Sequence, residues 1–142
     1  MALVQHVDAS GTLDDLLQRV FNASSPEDAL DAVVYLHAEY SPVAYPIARV
    51  FMNSRHEDEA LRVAWDDRME GRRNLYRFVI EWLEREGLLT PEWNVPVAIE
   101  MLAALTSWQV WEQLVIDRGW SKDDYVQYLR AAARRTLVDS PK

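Results

Sequence analysis

Helix-starting signals recur along this chain of 142 residues, and they constrain its fold more than any other feature. The tetrapeptide Ser-Pro-Glu-Asp at 25–28 offers a capping hydroxyl, a proline suited to a first helical turn, and two acids at the positive end of a helix dipole. The segments at 12–15 and 121–124 resemble capping boxes. Between these signals apolar residues recur at helical spacing, and no segment alternates as a strand does. The sequence therefore predicts an all-α fold with about six helices.

These signals also predict where each helix begins and ends within a single domain spanning 1–142. Ser41 and Pro42 are expected to end one helix and begin the next, and Gly87 and Gly119 to end two others. Residues 1–11 are expected to form an irregular N-terminal arm. The predicted helices cover residues 13–22, 26–40, 42–53, 57–86, 94–118 and 122–138.

Charge and composition argue against several classes of function. Twenty-three acidic side chains outnumber fifteen basic ones, and the resulting net charge of −8 is unfavourable for binding the negatively charged phosphate backbone of a nucleic acid. The absence of cysteine excludes disulfides, thiolate catalysis and cysteine-bound metals. No apolar run approaches the roughly 20 residues of a membrane-spanning helix, and residues 1–11 lack the basic region of a secretory signal. We expect a cytoplasmic chain that by itself binds neither nucleic acid nor a membrane.

Motifs for catalysis or metal binding are weak. His56 and the acids after it lack the spacing of a helical zinc pair, and the acid pairs at 66–67 and 123–124 point apart on a helix. The chain has no phosphate-binding loop and no serine in a nucleophile elbow. The sequence thus predicts no enzyme, no metal and no cofactor. A small helical enzyme that uses His37 and a carboxylate is the remaining catalytic alternative.

One predicted helix is apolar nearly all round. Between residues 97 and 116 the only charged side chains are Glu100 and Glu112. A helix of this kind has to be covered on more than one side, and in so small a domain we expect a second copy of the chain to provide the other cover. The last helix carries small residues that suit close helix approach. The predicted dimer interface contains Met101, Leu105, Gln109, Gln113, Tyr125, Tyr128, Leu129 and Ala132; the two glutamines are equally compatible with a pocket.

Aromatic residues favour a ligand pocket among the middle helices. Ligand cavities are mostly apolar and aromatic with a few placed polar groups, although core packing explains any single ring as well. The residues expected to line the pocket are Phe51, Met52, Trp65, Met69, Tyr76 and Trp108, with Arg72 as the charged anchor and His37 and Glu112 as polar members. His37 fits a core histidine as well as a pocket donor. Glu112 could pair across the dimer, pair with Arg72, or point to water.

Arg72 is the most informative polar residue in this set. Positions three and four residues away on either side carry no acid, so no local helix pair explains the arginine. Its side chain either reaches solvent or meets an acid from another helix or a ligand. Because a guanidinium matches a carboxylate bidentately, the sequence predicts an apolar or amphipathic ligand such as an aromatic or fatty acid.

The order of these helices resembles the C-terminal regulatory domain of the tetracycline-repressor family of bacterial transcription regulators. The resemblance lies in the Ser-Pro-Glu helix, the proline-interrupted apolar helix, the long charged helix ending in Glu-Gly-Leu-Leu at 86–89, the apolar segment at 98–105 followed by Trp108 and Trp111, and the capped last helix. It covers roughly residues 12–138 and rests on helix order, helix length and turn placement. The family implies a homodimer built from the last two helices, with a small-molecule pocket among the middle ones.

Two departures from the family pattern accompany this resemblance. The first residues are too few for the family's DNA-reading helices, so DNA binding is not carried over. Trp108 also appears where family members often have glycine, and its ring changes the helix approach or fills part of the cavity. We expect an effector-binding and dimerisation domain. The alternative is a stand-alone helical interaction protein without a small ligand. A cavity reaching Arg72 favours the first, and a core filled by tryptophans favours the second.

Overall fold

The computed structural model describes residues 12–139, so the N-terminal arm predicted over 1–11 lies outside the described part. A π-helical turn, Glu112–Asp117, continues the fifth helix. An isolated antiparallel bridge joins Leu89 and Val138. The all-α fold with about six helices is confirmed. The helices of the described residues are α1 (Thr12–Phe21), α2 (Pro26–Ser54), α3 (Glu59–Arg85), α4 (Val95–Leu105), α5 (Trp108–Trp111) and α6 (Lys122–Leu137).

Local capping signals predict several helix ends correctly. The Ser25 and Ser121 hydroxyls accept hydrogen bonds from the backbone amides of Asp28 and Asp124 at 3.1 and 3.0 Å. At the end of α3, Gly87 has a φ of +72°, where a β-carbon would be strained. The Leu88 amide donates to the Leu83 carbonyl at 2.8 Å, and the Gly87 amide donates to the Glu84 carbonyl at 3.0 Å. This Schellman pattern ends α3 within two residues of the predicted boundary.

The predicted helix break at Ser41 and Pro42 is wrong. The helix α2 runs from Pro26 to Ser54 and includes both Pro42 and Pro46. An internal proline removes a backbone hydrogen bond and costs about 3 kcal/mol. Both prolines are exposed, whereas neighbouring residues such as Ala44 and Ala48 are buried in the core. Packing of this buried side offsets the local cost and keeps the two segments in one helix.

The helix predicted over 94–118 is divided in the structure. The helix α4 ends at Leu105, and the Ser107 hydroxyl accepts from the Val110 amide at 3.2 Å to begin α5. The Thr106 hydroxyl between them lies 2.8 Å from the Leu102 carbonyl and is buried. Side-chain capping therefore ends one helix and starts another without the glycine or proline that usually marks a break.

Four helices form a closed arrangement around the core. The helix α2 packs against α3 and α6, and α4 packs against the same two helices, while α1 lies against α2. No helix within residues 12–139 is both long and apolar enough to cross a membrane. The largest side chains that are fully buried include Tyr76, Tyr125, Leu30, Ile80, Leu83, Leu102 and Leu137.

Candidate functional site

A cavity of about 270 Å³ opens between α1, α2, α3 and the start of α5. Most of its wall is apolar, and three large buried rings belong to it: Phe51, Trp65 and Trp108. Arg68 and Gly71 of the wall are exposed, which places the mouth of the cavity along this part of α3. The full lining is Leu13, Leu17, Leu36, His37, Tyr40, Ala44, Ile47, Ala48, Phe51, Trp65, Arg68, Met69, Gly71, Arg72, Leu75 and Trp108.

The structure brings together most, but not all, of the residues predicted for a pocket. Six of them lie in this wall: His37, Phe51, Trp65, Met69, Arg72 and Trp108. The remaining three, Met52, Tyr76 and Glu112, do not belong to it. Tyr76 instead lines a smaller cavity of about 50 Å³ at the junction of α3, α4 and α5, which Arg72 and Trp108 also border. Whether any of these residues binds a ligand stays a prediction.

Three arginines stack on the aromatic rings of the cavity. The guanidinium carbon of Arg72 lies 5.0 Å from the ring centre of Trp108, and that of Arg68 lies 5.4 Å from the ring centre of Phe51. Arg55, which does not belong to the wall, covers Trp65 at 4.9 Å. Such stacks hold a cation over an apolar surface while leaving its N–H groups free for other acceptors.

Arg72 is partly buried and carries its charge without an acidic partner. Its Nη1 donates to the Thr106 backbone carbonyl at 3.3 Å. Within residues 12–139 no carboxylate forms an ion pair with it, whereas its neighbour Arg73 binds Glu100 at 2.9 Å. A neutral carbonyl and a ring face compensate a buried cation less fully than a carboxylate does. Arg72 thus presents an uncompensated positive charge to the cavity.

A buried hydrogen-bond chain connects the cavity wall to the junction of α4 and α5. His37 Nε2 lies 2.8 Å from the Tyr76 hydroxyl, and that hydroxyl lies 2.9 Å from the Thr106 Oγ1. Burial, and after it the charge of Arg72, holds the pKa of His37 well below its usual range. The imidazole is therefore neutral at neutral pH and joins α2 to α3 as a hydrogen-bond partner.

Glu112 contacts the proline-containing part of α2. The Tyr45 hydroxyl donates to Glu112 Oε2, and this hydrogen bond, ahead of burial, raises the pKa of Tyr45. The Tyr45 ring also packs on Trp111, with 5.1 Å between ring centres. Of the three alternatives considered for Glu112, pairing with Arg72 does not occur. Glu112, the first residue of the π-helical turn, instead links that turn to α2 through its hydrogen bond with Tyr45.

The residues predicted for a dimer interface divide into buried and accessible groups. Tyr125 and Leu129 lie in the core of their own chain, so a second copy cannot cover them. Tyr128 is 53% exposed, and its ring packs edge-on against Trp120. Val97 and Ile116 add exposed apolar area on α4 and the π-helical turn. The accessible members of the predicted set are Met101, Leu105, Gln109, Gln113, Tyr128 and Ala132.

The sequence prediction named six of the sixteen residues that line the cavity, and four of the other ten are instructive. Leu13 and Leu17 come from α1, which was not expected to reach the pocket. For Arg68 and Gly71 the sequence did contain an indication of the cavity. Arg68, like Arg72, has no acid three or four residues away. Gly71 lies inside a helix, where a glycine costs about 1 kcal/mol relative to alanine. A β-carbon at Gly71 would meet no atom within 4 Å, so packing does not require the glycine.

Searches for related proteins provide no further assignment. A scan against protein-family models, a search of curated proteins and a search of solved structures each returned no match to this chain. Among residues 12–139 no three His, Asp or Glu side chains converge in a way that could hold a metal ion.

Proposed function

We propose that this chain is an effector-binding and dimerisation domain of the tetracycline-repressor type, and that its cavity binds a small amphipathic anion. The observation that carries the proposal is Arg72, a partly buried cation without an acidic partner in the wall of a mostly apolar and aromatic cavity. Trp65 and Trp108 line this space and leave it open. Cavities with apolar walls and a few placed polar or charged groups are typical small-molecule sites.

The size of the cavity limits the ligand. A cavity of about 150 Å³ holds benzene, which has about six non-hydrogen atoms. At the same ratio, 270 Å³ accommodates about eleven non-hydrogen atoms. Octanoate and 3-phenylpropanoate fall within this size, and both place a carboxylate at one end of an apolar body. In the bound state we expect the carboxylate at Arg72 and the apolar body against Phe51, Trp65 and Leu36.

Replacing Arg72 with glutamine should weaken octanoate binding by about 10- to 150-fold, the equivalent of a lost charge-assisted hydrogen bond of roughly 1.5–3 kcal/mol. Glutamine keeps an N–H group that can still donate to the Thr106 carbonyl, so the fold should be retained. Octanol, which carries no charge, should bind both proteins nearly equally. Isothermal titration calorimetry with both ligands measures these affinities.

Arg77→Gln is the matched control for this experiment. It removes the same charge from the same helix, but Arg77 lies outside the cavity wall and bonds Asn74 at 2.7 Å. The control should bind octanoate as the unmodified chain does. Equal losses for octanoate and octanol in Arg72→Gln, or no binding of octanoate to the unmodified chain, would contradict the proposed role of Arg72.

The dimerisation part of the proposal places a second copy against α4, the π-helical turn and α6. These elements carry the exposed side chains Val97, Ile116 and Tyr128, and a symmetric contact lets one apolar face cover itself. Light scattering at micromolar concentration should give about twice the chain mass of 16.5 kDa. Tyr128→Glu should weaken the dimer about 100-fold or more, because two unpaired carboxylates would be buried in one contact.

Val63→Glu is the control for the dimer. Val63 is 55% exposed and lies on α3, away from the proposed interface, so this variant should remain dimeric. A monomer in the unmodified protein, or equal dissociation in both variants, would show that α4 and α6 do not form the interface.

A further inference from the structure

The mouth of the cavity contains a second arginine, Arg68, which is more exposed than Arg72 but likewise has no acidic partner. Arg68 and Arg72 both line the cavity, and they lie four residues apart on α3, so their β-carbons are about 5–6 Å apart on one face. Like charges at this spacing repel each other in a helix. Neither arginine forms an ion pair with any residue between 12 and 139, whereas Arg62 of the same helix binds both Glu59 and Asp66.

The two arginines have no acidic partner at helical spacing, although acids are abundant in the chain. Acidic residues outnumber basic ones by 23 to 15, yet no acid stands three or four residues from either arginine. The aromatic rings of Phe51 and Trp108 hold the two guanidinium groups instead. Two cations that line one cavity from the same helix face, with their N–H groups unpaired by acids, could together bind an anion of more than one charge.

Gly71 leaves space beside this pair. It lies between the two arginines in the sequence, is exposed, and also lines the cavity. A β-carbon there would meet no atom within 4 Å, so the backbone is open at the mouth. A charged group larger than a carboxylate therefore has room between the arginines, with its apolar chain inside the cavity.

We propose that Arg68 and Arg72 together bind the phosphate head of an amphipathic phosphate monoester whose single apolar chain occupies the cavity. This inference rests on the proposed binding of an amphipathic anion and specifies its class. A phosphate monoester carries close to two negative charges above neutral pH and three acceptor oxygens, enough for both guanidinium groups. A carboxylate has two oxygens and satisfies only one of them bidentately. The cavity volume admits one chain of about ten carbons and not two.

Calorimetry with octyl phosphate and octanoate, both at about pH 8, tests this inference because the two ligands share one chain length and differ in the head. Octyl phosphate should bind the unmodified chain about tenfold or more tightly than octanoate, as expected for one added charge-assisted contact. Arg68→Gln should remove this advantage and change octanoate binding by less than about threefold. Arg55→Gln is the matched control, because Arg55 also stacks on an aromatic ring but does not line the cavity.

The other results of this experiment are equally informative. If octyl phosphate binds no better than octanoate, or if Arg68→Gln and Arg55→Gln behave alike, the two-arginine head site is wrong while the Arg72 carboxylate site stands. If neither ligand binds, both proposals fail. Vesicles containing phosphatidic acid present the same head on two chains and should not bind. If the protein binds these vesicles and Arg68→Gln abolishes that binding, the ligand is not a free single-chain phosphate and the assignment is overturned.

Discussion

Replacing Tyr76 with alanine is expected to lower the free energy of unfolding by about 3–5 kcal/mol, the range found when large aromatic side chains are removed from a core. Tyr76 is 1% exposed, and its ring packs edge-on against His37 at 5.9 Å between ring centres. Removing its hydroxyl also takes away the buried partner of His37 and leaves the Thr106 hydroxyl bonded only to the Leu102 carbonyl. Denaturant unfolding followed by circular dichroism measures the change.

A control on the same helix defines the scale of this effect. Val63 is 55% exposed, so Val63→Ala should change the free energy of unfolding by less than about 0.5 kcal/mol. If Tyr76→Ala costs no more than Val63→Ala, the ring does not occupy the core position described above.

Two buried tyrosines allow the hydroxyl of Tyr76 to be tested separately from its ring. Tyr76→Phe should cost about 1–3 kcal/mol, because the buried His37 imidazole loses its hydrogen-bond partner. Tyr125 is also fully buried, but its hydroxyl has no hydrogen-bond partner within the described chain, and burial raises its pKa. Tyr125→Phe should therefore be neutral or stabilising, since it removes an unpaired polar group. Equal losses in the two variants would contradict the hydrogen-bond chain.

Acidification is expected to destabilise the protein through His37. Its pKa in the fold lies well below the value of 6.5 for an unperturbed histidine, first because of burial and then because of the Arg72 charge. Below about pH 6.5 the unfolded chain binds a proton that the folded chain does not, so stability is full above that pH and falls as the pH decreases. Between that pH and the lower pKa of His37 in the fold, the slope approaches about 1.4 kcal/mol per pH unit.

Variants of two histidines separate this effect from that of the carboxylates. His37→Gln retains a group that can bond the Tyr76 hydroxyl but cannot titrate, so its free energy of unfolding should fall less than that of the unmodified chain between about pH 7 and pH 5. His56 is exposed, and His56→Gln should keep the full dependence on pH. Denaturant unfolding at both pH values gives the comparison. Parallel behaviour of His37→Gln and the unmodified chain would show that His37 is not held neutral by the fold.

Helix ends could be predicted from the sequence where their cause is local. The Ser25 and Ser121 caps and the Gly87 turn involve hydrogen bonds between residues three to five positions apart, so a short segment contains the whole interaction. The interruption at Thr106 has a different origin. Its hydroxyl bonds Tyr76, which is 30 residues away, and its carbonyl accepts from Arg72, which is 34 residues away. No local pattern reveals such partners.

Part of the cavity wall could also be predicted, because the face of a helix is set by local sequence spacing. Helical spacing placed Trp65, Met69 and Arg72 on one face of α3, and three-dimensional packing then put this face toward α2 as expected. The contribution of α1 depends on how that short helix lies across α2, which its own ten residues do not determine. The continuity of α2 through its prolines likewise follows from burial on the opposite side, a tertiary effect that outweighs a local penalty.

The two prolines inside α2 also affect how the cavity opens. Each proline lacks a backbone N–H and so removes one hydrogen bond of the helix. The segment from Pro42 to Ser54 is therefore less firmly coupled to the preceding turns than it would be in a helix without prolines. This stretch supplies Ala44, Ala48 and Phe51 to the cavity wall. Sub-global opening of such a segment requires less free energy than global unfolding. We therefore expect local opening of the wall to leave Leu30 and Val33 packed, and a ligand that binds the closed form to suppress this opening more strongly the higher its affinity.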